Sequence, residues 1–441
     1  MTRTLTLPLI IPASLVDAHR LDLTADGWGF ATHHAVATAS GDTYAMSTVR
    51  RYSWAPGATD PAERNFDHRV ITRYAPDGTP TATALFGHPR PDGTPWAIVD
   101  GDKDNLAVLP DGTIAISSTP GSTHLISPDL SQVLASWRMP WGWEEQKART
   151  GDPFAASIAV TPSGRLLCMT SEYGLSNWSG ARPNIVAVSE PGSGLAPGAK
   201  APLRALATLD ARTARQTEAD RYPHVLFRGA PVWRDNRPSP SLTELLSELT
   251  GTSGSLCRYE DSTMTRPAAL RDDLFVVPVF GKLYRSTNLG QEFSFALLDD
   301  QGVVRGRLEG LDRRKDSPFT GFDFTVVADP HRGRAFHLNR YGLYAWTAEG
   351  QLRSRLSTED KPFKPLKHFA LLECTPAGEL LLCHRKQHLL LRVPVPDDLG
   401  TLPAAVEAAL KGYGPGRNAL KKQYAPVDWH WVDNSAEVHH L

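Results

Sequence analysis

Residues 105–137 read NLAVLPDGTIAISSTPGSTHLISPDLSQVLASW. Within this stretch, short apolar runs alternate with a Pro-Asp-Gly turn at 110–112 and a Ser-Pro-Asp turn at 127–129. Short strand-like runs separated by such turns predict a small antiparallel sheet of four strands. One such sheet cannot bury both of its faces, so the pattern requires further copies stacked on it.

Five further segments repeat the first half of this pattern. Each begins with a polar residue, continues through about four apolar or β-branched residues, turns near a glycine and resumes as a second apolar strand. The five segments begin at His34, Ser157, Asp273, Asp323 and His368. Six units at this spacing predict an all-β fold, a β-propeller of six four-stranded blades. Seven blades are the alternative, if residues 222–233 hold a degenerate copy.

The repeats divide the chain into three parts. Residues 1–26 are expected to supply an N-terminal strand that closes the ring, 27–396 form the propeller, and 397–441 form a helix and a tail outside the blade pattern. Residues 190–258 interrupt the propeller with an inserted amphipathic helix, which begins at the capping box of Ser241 and Glu244 and ends at Gly251. In the C-terminal part, a short helix over 402–410 is predicted to stop at Gly412.

Composition and charge exclude several classes of protein. The 47 basic and 48 acidic residues give a net charge of −1, without the basic footprint of a nucleic-acid-binding protein. No apolar run reaches the roughly 18 residues of a membrane span, and Pro8 and Pro12 interrupt the N-terminal run that a signal peptide would need. We therefore expect a cytoplasmic protein, and the abundance of Ala, Arg, Gly and Pro indicates a bacterial one.

The four cysteines show no Cys-x-x-Cys pair, so they predict neither a disulfide scaffold nor a zinc cluster. Cys374 and Cys383 flank one predicted hairpin, where a disulfide is the alternative to two buried thiols. We expect the buried thiols, since a reducing compartment keeps cysteines free.

The polar residues that begin the innermost strands are expected to meet at one end of the central channel. The candidates for a metal or ligand site there are His34, Asn105, Asp273, Asp323 and His368. Carboxylate and amide oxygens favour Ca²⁺ or Mg²⁺, whereas imidazoles shift the preference toward Zn²⁺, Mn²⁺ or Fe²⁺, so one divalent cation is the candidate cofactor. The alternative role is structural, because polar residues at blade starts also bind turn backbones and neighbouring blades.

Two further segments are candidates for binding a partner. Trp137, Trp141 and Trp143 lie within a few residues of one another, more indoles than one sheet face can bury, and Trp is enriched at binding surfaces. On the inserted helix, Leu242 and Leu246 lie on one face and would either pack on the scaffold or form a lid or docking surface.

The blade units at 104–118, 157–171 and 347–356 resemble those of six-bladed propellers of the NHL and gluconolactonase-like type, in which a strand ends in a Pro-Asp-Gly or Pro-Ser-Gly turn. The resemblance covers most of the chain and rests on a general blade pattern. It implies the propeller fold and, in the lactonase branch, a channel Ca²⁺ held by a Glu, Asn and Asp set. In such a set, Asn105, Asp273 and Asp323 could take the parts of the Asn and Asp residues, while no Glu begins a blade and two positions hold His.

Two functions follow as hypotheses. The first is a cytoplasmic propeller that binds a protein or a small ligand through its loop-rich face, without nucleic-acid or membrane binding. The alternative is a metal-dependent hydrolase or lyase whose site is the polar ring in the central channel. The sequence contains no nucleophile elbow, phosphate loop or dinucleotide fingerprint, which favours the scaffold hypothesis.

Overall fold

The protein is a mostly β fold with one long helix. The computed structural model describes residues 6–8, 10–12, 21–22, 30–52, 65–86, 106–118, 122–138, 155–171, 184–189, 203–209, 259–264, 266–283, 291–311, 326–385, 389–423, 429–433 and 437–440.

The strands, numbered in chain order, are β1 (Thr6–Pro8), β2 (Ile10–Pro12), β3 (Leu21–Asp22), β4 (Phe30–Ala37), β5 (Thr43–Tyr52), β6 (Asn65–Tyr74), β7 (Pro80–Phe86), β8 (Leu106–Val108), β9 (Ile114–Ser118), β10 (Ser122–Ile126), β11 (Val133–Arg138), β12 (Ala155–Val160), β13 (Leu166–Ser171), β14 (Asn184–Ser189), β15 (Leu203–Leu209), β16 (Tyr259–Met264), β17 (Ala268–Arg271), β18 (Leu274–Leu283), β19 (Gln291–Asp299), β20 (Val304–Arg307), β21 (Val326–Asp329), β22 (Arg334–Asn339), β23 (Gly342–Thr347), β24 (Leu352–Ser357), β25 (Phe369–Cys374), β26 (Glu379–His384), β27 (Leu389–Pro394), β28 (Trp429–Asp433) and β29 (Glu437–His440). Among the described residues, the helices are two short 3₁₀ helices, Lys364–His368 and Leu399–Thr401, and the α-helix α1 (Leu402–Gln423).

These strands form six sheets of four or five strands and one sheet of three strands in the described parts of the chain. In chain order the six sheets consist of β3–β7, β8–β11, β12–β15, β16–β20, β21–β24, and β25–β27 with β1. Their strand pairs, such as β12 with β13 and β22 with β23, run antiparallel. The N-terminal strand β1 pairs with β27, so both ends of the repeat contribute to the sixth sheet.

The chain separates into two compact units. One comprises Met1–Ile114, Ile126–Leu134 and Asp360–Leu441, and the other comprises Ala115–Leu125 and Ala135–Glu359. We call β4, β8, β12, β17, β21 and β25 the inner strands. In the first unit β4 contacts β25 and β8, and in the second β17 contacts β12 and β21. Within each unit, therefore, inner strands of successive sheets are neighbours, as stacked sheets require.

One five-residue turn recurs throughout the fold and follows directly from its residue types. In residues 75–79, the amide of Gly78 donates to the Ala75 carbonyl (2.8 Å), and the amide of Ala75 donates to the Thr79 carbonyl (2.7 Å). Gly78 has a φ of +90°, which glycine adopts without steric cost. The Asp77 carboxylate accepts the Thr79 amide, so Pro-Asp-Gly encodes the turn. The same pair of backbone bonds closes 38–42, 109–113, 161–165, 299–303, 347–351 and 375–379.

The two ends of each sheet differ in the length of their connections. Connections from first to second strand and from third to fourth strand span two to six residues, except for 190–202 between β14 and β15. Because antiparallel strands place alternate connections at opposite ends, these turns share one end, which we call the turn end. The other connections, at what we call the loop end, vary widely in length, from 340–341 and 119–121 to 53–64, 87–105, 139–154 and 210–258.

The central strands of the sheets are buried on both faces. In the second unit, β23 is buried from Gly342 to Trp346, and the rings of Tyr344 and Trp346 stack at 5.7 Å. The indole nitrogen of Trp346 donates to the Glu309 carbonyl (2.7 Å), which satisfies the one polar atom that this side chain buries. A strand covered on both sides is the expected result of stacking sheets face to face.

The helix α1 is longer than the sequence predicts, because it continues through Gly412 to Gln423. Leu402, Val406 and Ala409 are almost fully buried and lie on one helix face, and α1 packs against β27 and β1. This tertiary packing outweighs the cost of about 1 kcal/mol for a glycine inside a helix. Among the described residues, no helix combines the length and the apolar composition needed to cross a membrane.

Three other expectations can be compared with the structure. Strand β15 begins inside the range 190–258, so the third sheet takes residues that the sequence assigned to the insertion. The C-terminal strands β28 and β29 form a three-stranded sheet together with the N-terminal strand β2. Cys374 and Cys383 are buried free thiols, and each lies opposite a different residue, Leu380 and Ala370.

Candidate functional site

The inner strand β4 carries His34 in its middle, not at its start. Thr32 pairs with Ser47 and His34 pairs with Met46, so His33 is an extra residue that forms a β-bulge. The His34 side chain is 3% exposed. Its Nδ1 accepts the amide of Leu106 at the start of β8 (3.2 Å), and its Nε2 lies 2.8 Å from the Leu372 carbonyl oxygen in β25. The imidazole thus joins three inner strands.

A second bulge explains why the Leu372 carbonyl is available. In β25, Leu371 pairs with Leu382 and Glu373 pairs with Leu381, which leaves Leu372 outside the regular ladder. Glu373 follows it, with its Oε2 atom 3.7 Å from the His34 Nε2 atom and a side chain that is 19% exposed. The Glu373 Oε1 atom accepts the amide of Cys374 (3.0 Å). The two bulges therefore place an imidazole beside a partly exposed carboxylate.

The hydrogen bonds of His34 define its chemistry. Since Nδ1 accepts an amide proton, the ring proton lies on Nε2 and is donated to the Leu372 carbonyl. Neither nitrogen then offers a lone pair to a metal or a substrate proton. In the part of the chain that the structure describes, no group of three or more His, Cys, Asp or Glu side chains is arranged to hold a metal ion. In this geometry His34 positions the inner strands.

Asp273 lies in the two-residue turn between β17 and β18, at the turn end of its sheet. Its side chain is 69% exposed, and its Oδ1 atom lies 3.4 Å from the Arg271 Nε atom. The sequence pattern took the strand after Asp273 as the inner one, whereas β17 contacts the neighbouring inner strands. The short run of β17 follows Pro267, and this interruption hid it from a search for longer apolar runs.

His368 lies where the sequence places it, directly before β25, at the loop end of the sixth sheet. Trp137 lies near the loop end of β11. The remaining site candidates fall outside the described residues, namely Asn105, Asp323, Trp141, Trp143, Leu242 and Leu246. Their roles stay predictions.

A column of rings stands at the loop end of the sixth sheet. The imidazoles of His368 and His384 stack at 5.9 Å, and that of His384 stacks on the Tyr413 ring at 5.6 Å. Phe369 meets both His384 and Tyr413 edge to face. Tyr413 comes from α1, on the helix face that Leu402 and Ala409 bury, so the packing of α1 completes the column.

Exposed cations lie on the chain segments next to this column. The Arg385 amide donates to the His368 carbonyl (2.9 Å), and its Nε atom donates to the Phe369 carbonyl (3.3 Å), which places Arg385 beside the start of β25. Lys361, Lys364 and Lys367 are exposed on the connection that leads into β25. We call Lys361, Lys364, Lys367 and Arg385 the basic rim. Sequence reasoning missed it, although the lysines recur every third residue.

At the turn end, charged side chains form hydrogen bonds within turns and between neighbouring sheets. Arg392 is 8% exposed and donates to the Gly41 carbonyl (3.1 Å) and to the Thr43 hydroxyl, and its Nη1 atom lies 3.4 Å from the Glu379 carboxylate. Burial lowers the pKa of this guanidinium, although the Glu379 carboxylate opposes that effect. Hydrogen bonds from the Ser127 and Ser131 hydroxyls lower the pKa of Asp129 to about 2. These groups close turns and join sheets.

No protein-family model matches this chain, and no curated protein matches it in sequence. In fold it is similar to a gluconolactonase from Xanthomonas campestris, with 12% identity, 89% of this chain and 97% of that chain covered, and a TM-score of 0.41. It is similar to the WD40 β-propeller domain of Doa1, with 10% identity, coverages of 84% and 96%, and a TM-score of 0.34. It is also similar to hydrazine synthase from Kuenenia stuttgartiensis, with 10% identity, coverages of 82% and 94%, and a TM-score of 0.38.

Proposed function

We propose that the six sheets are the blades of a closed propeller and that this propeller is a cytoplasmic scaffold, which binds a protein or a small ligand through its loop end. The buried free thiols Cys374 and Cys383 suit a reducing compartment. In this proposal the turn end and the inner strands hold the blades together, and the loop end carries the binding residues.

The observation that carries the proposal is the difference between the two ends of the sheets. At the turn end, short hydrogen-bonded turns use their polar groups internally, as Asp77 and Asp111 do by accepting the amides of Thr79 and Thr113. At the loop end, connections reach the length of residues 210–258. Long connections presented by a rigid scaffold are where binding residues concentrate, since they vary without disturbing the core.

A second observation supports binding over chemistry among the described residues. His34, the most deeply buried of the predicted channel residues that the structure describes, uses both ring nitrogens for backbone bonds. A general base must have a free lone pair within reach of a substrate proton. The imidazole of His34 does not offer one in this arrangement.

Affinity capture with variants of matched design tests the proposal. The full-length tagged protein would be compared with Trp141→Ala/Trp143→Ala, whose residues follow β11 in the sequence, and with Arg340→Ala/Tyr341→Ala at the loop end of the fifth sheet. The control is Gln301→Ala/Arg305→Ala, with Gln301 in the turn between β19 and β20 and Arg305 in the first half of β20, and it removes one arginine as the Arg340 variant does. Captured proteins and small molecules would be quantified by mass spectrometry.

We expect a defined set of molecules that the wild type and the control retain equally. At least one loop-end variant should lose that set while keeping the wild-type unfolding midpoint. Loss of the same set in the control alone, or equal retention by all variants, would contradict binding through the loop end.

A further inference from the structure

Residues 361–369, KPFKPLKHF, form a repeat of three residues at the loop end of the sixth sheet. Leu366 is fully buried, Phe369 is 2% exposed, and Phe363 is partly buried. The lysines occupy the first position of each triplet and are all exposed. The repeat thus has one buried side and one side that carries the three ammonium groups.

The backbone gives this repeat its geometry. The amides of Phe363 and Lys364 donate to the Asp360 carbonyl, both at 3.0 Å, and the amide of Leu366 donates to the Phe363 carbonyl (2.9 Å). Residues 364–368 continue as a 3₁₀ helix. Side chains three residues apart eclipse one another in a 3₁₀ helix, and a rise of about 2 Å per residue separates them by about 6 Å. Lys364 and Lys367 therefore lie about 6 Å apart along the helix axis, and Lys361 precedes them in the turn that leads into the helix. We call these three lysines the lysine ladder.

Two features make the ladder ready to bind. Among the described residues, Lys361, Lys364 and Lys367 form no salt bridge. Pro362 and Pro365 restrict the backbone between the lysines, so less conformational freedom is lost when a ligand binds. The buried Leu366 fixes the segment to the scaffold.

We propose that the lysine ladder binds an acidic segment of a partner protein in an extended conformation, with carboxylates at alternate residues. In an extended strand, alternate side chains lie on one face about 6.7 Å apart, which is close to the spacing of Lys364 and Lys367 along the 3₁₀ helix. This inference rests on the proposed scaffold function and names the chemistry of the partner.

A folded acidic surface or a single small anion fits these observations less well. The lysines lie in a row on an exposed segment, whereas a small anion needs donors that converge on one point. A nucleic acid would profit from a broad basic surface, and the chain as a whole has a net charge of −1. An extended acidic peptide requires only a row of cations, which Lys361, Lys364 and Lys367 provide.

Fluorescence anisotropy with synthetic peptides tests the ladder. The first probe is a labelled peptide of alternating threonine and glutamate, and the second has the same composition with its glutamates in one block. Binding would be measured to the full-length wild type, to Lys364→Glu/Lys367→Glu and to the milder Lys364→Gln/Lys367→Gln. The control Arg307→Glu/Arg353→Glu changes two exposed arginines of other sheets by the same net charge.

We expect the alternating peptide to bind the wild type and the control with equal affinity and the charge-reversed variant at least tenfold more weakly. The glutamine variant should be intermediate, the block peptide should bind at least threefold more weakly than the alternating one, and added salt should weaken all binding. Equal loss in the control and ladder variants would overturn the proposal, because it would show only the effect of net charge. The absence of binding to the wild type at low salt would overturn it too.

Two competitors distinguish other ligands. Tighter binding of a single-stranded oligonucleotide of equal charge would overturn the acidic peptide in favour of a nucleic acid. Displacement of the peptide by inorganic phosphate, at an ionic strength where chloride has no effect, would overturn it in favour of a small-anion site. If the peptide fails to bind while affinity capture still depends on Trp141 and Trp143, that result would reject the ladder proposal and leave the proposed scaffold function in place.

Discussion

Replacing His34 by alanine tests whether one imidazole holds three inner strands together. The ring satisfies the amide of Leu106 and the carbonyl of Leu372, which belong to β8 and β25. These partners lie 72 and 338 residues from His34 in the chain. The substitution therefore removes contacts between distant segments and leaves the local strand pairing of β4 in place.

The expected loss in the free energy of unfolding follows from the two backbone groups that lose their hydrogen bond to the His34 ring. A buried donor or acceptor left unsatisfied costs about 1–3 kcal/mol, so the pair costs on the order of 2–6 kcal/mol before any relaxation. Water that enters the space left by the ring would recover part of this cost. We expect a loss of about 2–5 kcal/mol in the free energy of unfolding for His34→Ala.

Urea unfolding followed by tryptophan fluorescence measures this loss, with His34→Gln and His368→Ala as companions. The glutamine amide retains a donor and an acceptor, so His34→Gln should lose less than His34→Ala. His368 is an exposed histidine that stacks on the His384 ring, and its replacement should cost about 1 kcal/mol or less, below the loss expected for His34→Ala. The reasoning fails if His34→Ala is as stable as His368→Ala.

Two more predictions concern the turn end. Gly350 has a φ of +84°, and a methyl group there would overlap the Arg307 carbonyl oxygen, so Gly350→Ala should cost at least about 2 kcal/mol. Gly112 has a φ of +85° and no close neighbour, so Gly112→Ala should cost about 1 kcal/mol, and equal losses in urea unfolding would contradict the overlap. The pKa of Asp129 is lowered to about 2, so its stabilising contribution is present above the unfolded value of about 3.9 and disappears as the pH falls through about 2. The stability difference between the wild type and Asp129→Asn should therefore shrink from pH 4 to pH 2, and a constant difference across unfolding curves in that range would argue against this role.

The repeated turns show what sequence reasoning predicts well. Pro-Asp-Gly at 76–78 and at 110–112 forms the turn that its residue types favour, with the aspartate bonded to an amide two residues on. The information is local, since glycine, proline and aspartate act on their own backbone. The division of much of the chain into short antiparallel strands was predictable for the same reason.

The inner strands show where sequence reasoning fails. The bulges at His33 and Leu372 have no local signal, and the hydrogen bond that they bring about, between His34 and the Leu372 carbonyl, joins two sheets. The strand that precedes Asp273 was missed because β16 and β17 form two short pieces along β18. In α1, packing against β27 and β1 carries the helix past Gly412. These features depend on residues far apart in the chain, which a pattern search along the sequence does not compare.

The net charge of −1 conceals a difference between charged side chains that are hydrogen-bonded within the protein and charged side chains that are not. In the first unit, the carboxylates of Asp77, Asp111 and Asp129 accept backbone amides within their own turns. The lysines of the ladder have no such partner among the described residues. A sum over the sequence counts both sets equally, although only unpaired charges keep their full attraction for a ligand. The location of unpaired charge, more than its total, is therefore the basis on which we propose binding at the lysine ladder.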